Sequence, residues 1–356
     1  MRHALFLMIL FLSLSCTSRS QAKRDSIIDT LSDSLSDSIF PTDTLRLLFV
    51  GDLMQHQGQI NAARTSTGYD YSTCFAYVKE EIKKADLSIA NLEVTLGGKP
   101  YKGYPAFSAP DEFLTAIHDA GFNVLVTANN HSLDRGKSGL ERTIQLIDSL
   151  KVPHAGTYIN ADEREKKYPL LLEKNGFRIA LLNYTYGTNG IPVTPPNIVN
   201  YIDTAIIAKD IEESKAMKPD AIIACMHWGI EYQSLPDKEQ KFLTYWLLQK
   251  GVNHIIGCHP HVVQPIEVRE DSLTNEKHLV VYSLGNYISN MSARRTDGGL
   301  MVKMELVKDS TTRLNHCEYS LVWTARPVQS KKKNHQLLPI NFPTDSISVN
   351  ARNSRK

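Results

Sequence analysis

The chain has 356 residues, 42% of them hydrophobic, which is enough to bury the core of one large α/β domain. Its formal net charge is only +2, so composition argues against nucleic-acid binding through bulk electrostatic attraction. The one basic run, residues 331–333, lies near the end of the chain and is typical of a solvated surface.

The N-terminal region predicts export. Arg2 gives a positive start, and residues 4–12 form an apolar core too short to remain as a membrane span. Residues 1–16 resemble a bacterial lipoprotein signal, so we expect Cys16 to be lipidated and the protein to be anchored at the cell envelope. The alternative is ordinary secretory cleavage, which would leave a free periplasmic protein. Residues 17–43 are rich in Ser and Asp and are expected to form a flexible tether.

Residues 44–326 are predicted to form the folded domain, because apolar runs alternate there with helical patterns. An Asn175-Gly176 turn predicts a hairpin over residues 169–184. The predicted helices span residues 75–84, 111–120, 140–150, 206–217 and 239–250. Further strands are predicted over residues 262–269, 278–284, 300–307 and 317–323. The late strands imply more than one sheet. Residues 327–356 lack periodicity and are predicted to be a mobile C-terminal tail.

Five apolar runs in this domain end in residues that can bind metals. Runs of this length without alternation predict strands buried on both faces, and ligands of open α/β sheets bind beyond the carboxyl ends of such strands. The residues that follow the runs supply two carboxylates, one amide and four imidazoles: Asp52, Glu93, Asn130, His131, His227, His259 and His261. This set predicts a metal centre that holds two ions.

Each of these residues alone has a plainer explanation, such as a turn, a helix cap, a hydrogen-bonded core histidine or a surface charge. His259 and His261 flank Pro260, and an extended backbone there would project both rings to one side, so that two metals could each take one ring. An isolated pair of this kind is more often two surface histidines. The agreement among five strand ends favours the metal centre.

Two acidic residues near these strand ends are candidate partners of histidines. Asp134 lies three residues after His131 and could orient its ring, leaving His131 as a proton donor to substrate. Glu231 could fix the ring of His227 or could simply be a surface acid. The cysteines beyond Cys16 have no C-x-x-C spacing and are expected to be free thiols.

Several motifs together resemble the bacterial CapA family, the poly-γ-glutamate capsule-synthesis group of the calcineurin-like metallophosphoesterases. The resemblance spans residues 45–327 in one order. Its motifs are Gly51-Asp52, Asn91-Leu92-Glu93, Ala128-Asn129-Asn130-His131 with Asp134 and Gly136, His227-Trp228-Gly229-Ile230-Glu231, Gly257-Cys258-His259-Pro260-His261 and Tyr282-Ser283-Leu284-Gly285-Asn286. It implies an α/β fold, a four-layer αββα sandwich of two sheets flanked by helices.

The resemblance also implies roles for the ligand-type residues. Glu93 would bridge two divalent transition metals, and His131 would act on the transition state. Asp52 and His261 would bind one metal, and Asn130, His227 and His259 the other. We expect manganese, zinc or iron, because imidazoles are too soft for a calcium site.

The sequence departs from the general phosphoesterase pattern at the first motif. That pattern has Asp-x-His, whereas here His56 is four residues after Asp52. The missing ligand could come from His56, from Gln55, from Gln59 or from water.

The implied function is a metal-dependent hydrolase at the bacterial cell envelope, in capsule or exopolymer (polyglutamate-like) biosynthesis. Its substrate would be an anionic polymer or a phosphoester, and it would not bind nucleic acid. It would contact the membrane only through a lipid anchor, and its protein partners would be capsule-export components. Candidate substrate contacts are Lys102, Arg294, Arg295 and Asn286, although the loops that carry the basic residues could simply be solvated. The alternative function is a non-catalytic assembly component that binds an anionic polymer.

Overall fold

Two β-sheets form the centre of the computed structural model, which describes residues 43–343. Cys16 and the predicted tether lie outside the described residues, except for Asp43. The strands are β1 (Asp43–Leu53), β2 (Leu87–Leu92), β3 (Val124–Val126), β4 (His154–Ala155), β5 (Thr157–Tyr158), β6 (Leu170–Lys174), β7 (Phe177–Thr185), β8 (Ile198–Val199), β9 (Ala221–His227), β10 (His254–Cys258), β11 (Ile266–Glu270), β12 (Lys277–Val281), β13 (Asn286–Ile288), β14 (Gly298–Lys308), β15 (Thr312–Ala325) and β16 (Gln336–Pro339).

The first sheet has eight strands within residues 43–343, in the order β16-β15-β14-β1-β2-β3-β4, with β13 also paired to β1. The second has six strands there, in the order β11-β12-β10-β9-β7-β6, and β5 pairs with β8 separately. Strands β1 to β4 run parallel, as do β7, β9, β10 and β12. Each sheet therefore has an edge at which several carboxyl ends meet.

Residues 43–343 contain eight helices, several of which pack on the outer faces of the sheets. They are α1 (Gln57–Ala63), α2 (Lys79–Ile82), α3 (Asp111–Ala120), α4 (Gly136–Ser149), α5 (Ala161–Lys167), α6 (Thr204–Ala216), α7 (Lys238–Gln249) and α8 (Pro327–Ser330). The predicted bounds of α3 are confirmed, and α4, α6 and α7 begin one to four residues before their predicted starts. The predicted hairpin is confirmed as β6 and β7, with Asn175 and Gly176 both at positive φ.

The layers follow from how apolar side chains are buried. One cluster lies between the two sheets and includes Leu47 and Phe49 of β1 with Ile223 of β9 and Ile256 of β10. A second joins the first sheet to α2, α3 and α4, and a third joins the second sheet to α6 and α7. Every residue of β2 and β9 is buried, as the uninterrupted apolar runs predict. The predicted four-layer αββα sandwich is confirmed.

Two predictions about elements are wrong. The helix predicted over residues 75–84 is reduced to α2, because residues 71–78 form successive turns such as Val78 N–H to Phe75 C=O at 3.0 Å. The tail predicted from residue 327 is instead α8 and β16 as far as residue 339, since β16 pairs with β15 and buries Leu337 and Leu338. Two buried leucines in a polar segment are too few to produce a periodic signal.

Two further properties of residues 43–343 bear on the predictions. Cys74, Cys225, Cys258 and Cys317 are free, as expected. In the same part of the chain no helix is both long and apolar enough to cross a membrane.

Candidate metal centre

The carboxyl ends of parallel strands from both sheets place ligand-type residues in one buried cluster. Asp52 lies near the end of β1 and Glu93 directly after β2, so the first sheet contributes both carboxylates. His227 ends β9, and His259 and His261 follow β10, which pairs in register with β9 at Cys258 and His227. All five side chains are at most 3% exposed.

Two groups of possible metal ligands share Glu93. One group is Glu93, His227 and His259, and the other is Asp52, Glu93 and His261. Within each group the candidate ligand atoms lie within 4.8 Å of one another. The geometry thus brings together the residues that the sequence analysis assigns to two metals, with Glu93 between them. Ligation itself stays a prediction.

The Glu93 carboxylate lacks the partners that a buried charge requires. Among residues 43–343 neither of its oxygens has a hydrogen-bond partner. Its Oε1 lies 3.7 Å from His227 Nε2 and 3.9 Å from His261 Nε2. Burial, followed by the negative charge of Asp52, raises the pKa of Glu93 well above its ordinary value. An unpaired buried carboxylate is costly, and a bound cation removes that cost. The donor set therefore fits divalent metals.

The histidines of the Glu93–His227–His259 group are held neutral, which is the form that binds metals. Burial, then the charge of His259, lowers the pKa of His227 well below its usual value. Burial, then the charge of His261, lowers the pKa of His259 to about 3. Asn130 Oδ1 lies 2.8 Å from His227 Nε2, close to the roughly 3 Å between adjacent ligands of one ion.

His261 is held between Asp52 and Asn286. Its Nδ1 lies 3.2 Å from Asp52 Oδ2 and 3.0 Å from Asn286 Oδ1. Burial lowers the pKa of His261, but the hydrogen bond and charge of Asp52 outweigh burial, and the net pKa is raised. Burial likewise raises the pKa of Asp52, yet the hydrogen bond and charge of His261 leave it lowered overall. Asp52 is therefore ionised, as a metal ligand must be.

Asn286, predicted to contact substrate, lies beside His261, and its contact with substrate stays a prediction. The side chain is fully buried, and its Nδ2 donates to the Thr296 carbonyl at 2.8 Å while its Oδ1 faces His261. Both ends of the amide are thus used within the protein, and Asn286 orients the His261 ring.

The backbone that carries His259 and His261 is not extended, so the condition under which both rings would project to one side is not met. His259 has φ +99° and His261 has φ +59°, both in the left-handed half of the Ramachandran map. Two hydrogen bonds fix this loop: Trp228 N–H donates to the Cys258 carbonyl at 3.2 Å, and Tyr232 N–H to the Pro260 carbonyl at 2.8 Å. Both rings nevertheless reach the groups that contain Glu93.

His131 lies after β3 with its ring fixed by Asp134. His131 Nδ1 is 2.8 Å from Asp134 Oδ2, and the same oxygen accepts from the Phe107 backbone N–H at 2.8 Å. The His131 ring packs edge-on against Phe107, with 4.6 Å between centroids. Among residues 43–343, His131 belongs to none of the candidate metal groups. Its Nε2 is the nitrogen left for a substrate.

Of the residues considered for the missing ligand of the first motif, His56 joins none of the candidate groups of histidines and carboxylates in the described part of the chain. His56 Nδ1 accepts from the Asn290 backbone N–H at 3.3 Å. Gln59 uses both ends of its amide near the start of α1, on Met54 and His56. Gln55 is fully buried, and its Oε1 has no hydrogen-bond partner.

The three basic residues predicted to bind substrate are exposed and lie on loops. Lys102 pairs through its backbone with Ser108, and Arg294 is in a turn. Arg295 lines a separate cavity together with Asp297 and Trp323. Their role in substrate binding stays a prediction.

Sequence reasoning missed residues that position or border the cluster. Asn91 Nδ2 donates to Asp52 Oδ1 at 2.7 Å and lies 3.3 Å from His227 Nδ1, so it links the two metal groups. The sequence signal for Asn91 was its position on β2, two residues before Glu93, because side chains two residues apart in extended backbone lie on the same face. Three exposed tyrosines also lie near the histidines: Tyr104 near His131, Tyr186 near His259 and Tyr232 near His261.

Comparison with known proteins gives a consistent result. A family model described as "Bacterial capsule synthesis protein PGA_cap" matches residues 46–291. The chain is 28% identical over 286 residues to "Capsule biosynthesis protein CapA" of Bacillus anthracis, covering 77% of this chain and 66% of that protein. It is 28% identical over 281 residues to "PGA biosynthesis protein CapA" of Bacillus subtilis (strain 168), covering 77% of this chain and 71% of that protein. The chain thus spans about two thirds of the length of these relatives.

One solved structure supports the fold. NAD nucleotidase (NadN) of Haemophilus influenzae superposes with a TM-score of 0.51 at 11% identity, covering 89% of this chain and 55% of that one. A likeness at this level of identity shows the fold alone.

Proposed function

Because the chain belongs to the bacterial capsule synthesis protein family PGA_cap and has a metallophosphoesterase-like fold, we propose that it is a metal-dependent hydrolase of the bacterial cell envelope. Its role would be in capsule or exopolymer biosynthesis. The bond cleaved would be a phosphoester, or an amide or ester of a polyglutamate-like anionic polymer. The observation that carries the proposal is Glu93, a buried carboxylate without a hydrogen-bond partner that two candidate ligand groups share.

The cofactor proposed is a pair of divalent transition metals, manganese, zinc or iron. Asp52 and His261 would hold one ion, Asn130, His227 and His259 the other, and Glu93 both. Imidazole and carboxylate donors together suit these metals better than calcium. Bound here, two such ions would supply Lewis-acid activation of water and stabilise charge on the group transferred.

His131 is the residue proposed to act on the substrate directly. With Nδ1–H donating to Asp134, the imidazole presents Nε2 to the substrate, and in its doubly protonated form it can transfer the Nε2 proton to the leaving group and become neutral. Asp134 is itself held by the Phe107 backbone N–H, so the ring has a defined orientation. The exposed Tyr104 beside His131 would border the substrate at this end of the site.

The proposal is tested with the purified full chain loaded with Mn²⁺. It is assayed against a panel of phosphoesters and against a poly-γ-glutamate polymer, with the EDTA-treated protein as the control. We expect the metal-loaded protein, but not the EDTA-treated protein, to turn over at least one of these substrates. Polymer binding with no turnover by metal-loaded protein would contradict it and would favour the assembly component instead.

A further inference from the structure

The carboxylate of Glu231 lies beside the two histidines that follow β10. Glu231, His259 and His261 form a third group whose candidate ligand atoms lie within 4.8 Å of one another. Glu231 is partly exposed, whereas the two histidines are buried. It is therefore the most solvent-accessible member of this group, whereas Glu93 is fully buried.

The segment that carries Glu231 is held against the histidine loop on both sides. Trp228 N–H donates to the Cys258 carbonyl and Tyr232 N–H donates to the Pro260 carbonyl, at 3.2 and 2.8 Å. Gly229, between these bonds, has φ +87°, and a Cβ there would lie 2.7 Å from the Gln240 side chain. Glu231 is thus placed by fixed backbone, as a residue with a defined ligand would be.

The two candidate metal groups differ in the number of protein ligands available. The group of His227 and His259 also contains Glu93. In addition, the Asn130 side-chain oxygen lies 2.8 Å from His227 Nε2. In the described part of the chain, the candidate group of Asp52 and His261 has one further member, Glu93. His56, which could have completed it, uses Nδ1 to accept from the Asn290 backbone. Counted over carboxylates, imidazoles and Asn130, the Asp52 group is one protein ligand short of its neighbour.

We infer that Glu231 is a ligand of the metal bound by Asp52, Glu93 and His261. This assignment rests on the proposed binuclear centre. It replaces the histidine of the general first motif by a carboxylate from another strand end. The resulting site, three carboxylates and one imidazole, is harder than its neighbour and favours Mn²⁺ or Fe²⁺ over Zn²⁺. Two divalent ions with three carboxylates leave a single net positive charge to attract an anionic substrate.

Titration with Mn²⁺ tests the assignment. The EDTA-treated full chain is titrated calorimetrically and followed by electron paramagnetic resonance. Wild type should bind two ions that are spin-coupled. Glu231→Ala should keep one ion, with an uncoupled six-line signal, and weaken the other by at least ~100-fold, since changes outside the ligand shell already cost ~10–100-fold. Glu239→Ala, at an exposed acid on α7, is the matched control and should bind both.

The outcomes separate this assignment from the proposed function. Two ions bound by Glu231→Ala with wild-type affinity would overturn the assignment and leave the metal centre standing. No ion bound by wild type would remove the metal centre and the assignment with it. Loss of both ions by Glu231→Ala at an unchanged apo-protein melting temperature would also contradict a role at one site. If Glu231→Ala does not fold, Glu231→Gln decides, and unchanged affinity in that variant overturns the assignment.

Discussion

At the scale of single residues, the cluster separates residues that would hold metal from one that would act on substrate. Asp52, Glu93, His227, His259 and His261 share a buried space in which carboxylates and imidazoles lie within reach of common ions. His131 stands beside it, with its ring fixed by Asp134 and outside the described metal groups. Substitutions should therefore separate metal content from turnover.

His131→Ala is expected to keep both metals and to lose ~10²–10⁴-fold in turnover, the usual contribution of a general acid. Metal content by elemental analysis and kcat on the best substrate of the panel are the two measurements. Loss of metal would instead identify His131 as a ligand. Loss of the folded circular dichroism spectrum would identify it as a structural core histidine.

A buried histidine far from the cluster should make the fold sensitive to acid. Burial, with the charge of His278 next, lowers the pKa of His254 to about 3, and its Nδ1 accepts from the Leu279 backbone N–H at 3.0 Å. The unfolded chain takes up this proton near pH 6.5, so stability is complete above that pH and is lost as the pH falls towards 3. At pH 5 the unfolding free energy is lowered by about 2 kcal/mol through this histidine.

The variant His254→Asn keeps a hydrogen-bond acceptor and removes the titrating group. When the pH is lowered from 7 to 5, the unfolding free energy of the variant should therefore decrease by about 2 kcal/mol less than that of wild type. Urea unfolding in EDTA measures this. His316→Asn, at an exposed histidine, is the control and should retain the wild-type dependence. Equal pH dependence of wild type and His254→Asn would refute the explanation.

At the scale of secondary-structure elements, the buried parallel strands were predictable and the C-terminal strand was not. Strands β2 and β9 are buried on both faces and appear as unbroken apolar runs, so their ends could be located from the sequence. Within residues 43–343, strand β16 pairs with β15 alone and contributes few apolar side chains. The turns before α2 depend on a tertiary contact, Leu337 N–H to the Cys74 carbonyl at 2.9 Å, that no local pattern encodes.

The contribution of β16 to the stability of the fold can be measured by substituting Leu337. This side chain is 0% exposed and packs in the apolar cluster under α2 and α3. Leu337→Ala should lower the unfolding free energy by about 2–5 kcal/mol, the usual cost of emptying a buried leucine site. Val328→Ala, at a residue 80% exposed, should change it by less than about 0.5 kcal/mol. Similar small effects in both variants would restore the prediction of a loosely attached tail.

At the scale of the whole molecule, two sheets packed face to face bring together strand ends that are distant in sequence. Asp52 and His261 are 209 residues apart in the chain, yet their side chains lie 3.2 Å apart. The sequence indicated which strand ends carry ligands, because each follows its own apolar run. It did not indicate the left-handed backbone at His259 and His261 or the role of Asn286, since both depend on contacts made after the sheets pack.

The cellular location also belongs to the whole molecule. We propose that Cys16 is lipidated and that residues 17–43 tether the domain to the membrane, a proposal that rests on the signal pattern alone. Cys16→Ser should move the protein from the membrane fraction to the soluble periplasmic fraction. A mature N-terminus beyond residue 16 without lipid, found by mass spectrometry of the wild-type protein, would disprove the anchor.

The measurement that tests the central claim most directly is the metal content of the purified full chain. Elemental analysis should find close to two transition-metal ions per wild-type chain, and His259→Ala combined with His261→Ala should lose most of them, because each candidate metal group loses an imidazole. Circular dichroism of both proteins in EDTA controls for folding. Full metal retention in the double variant, or a wild-type chain that binds no transition metal, would contradict the binuclear centre.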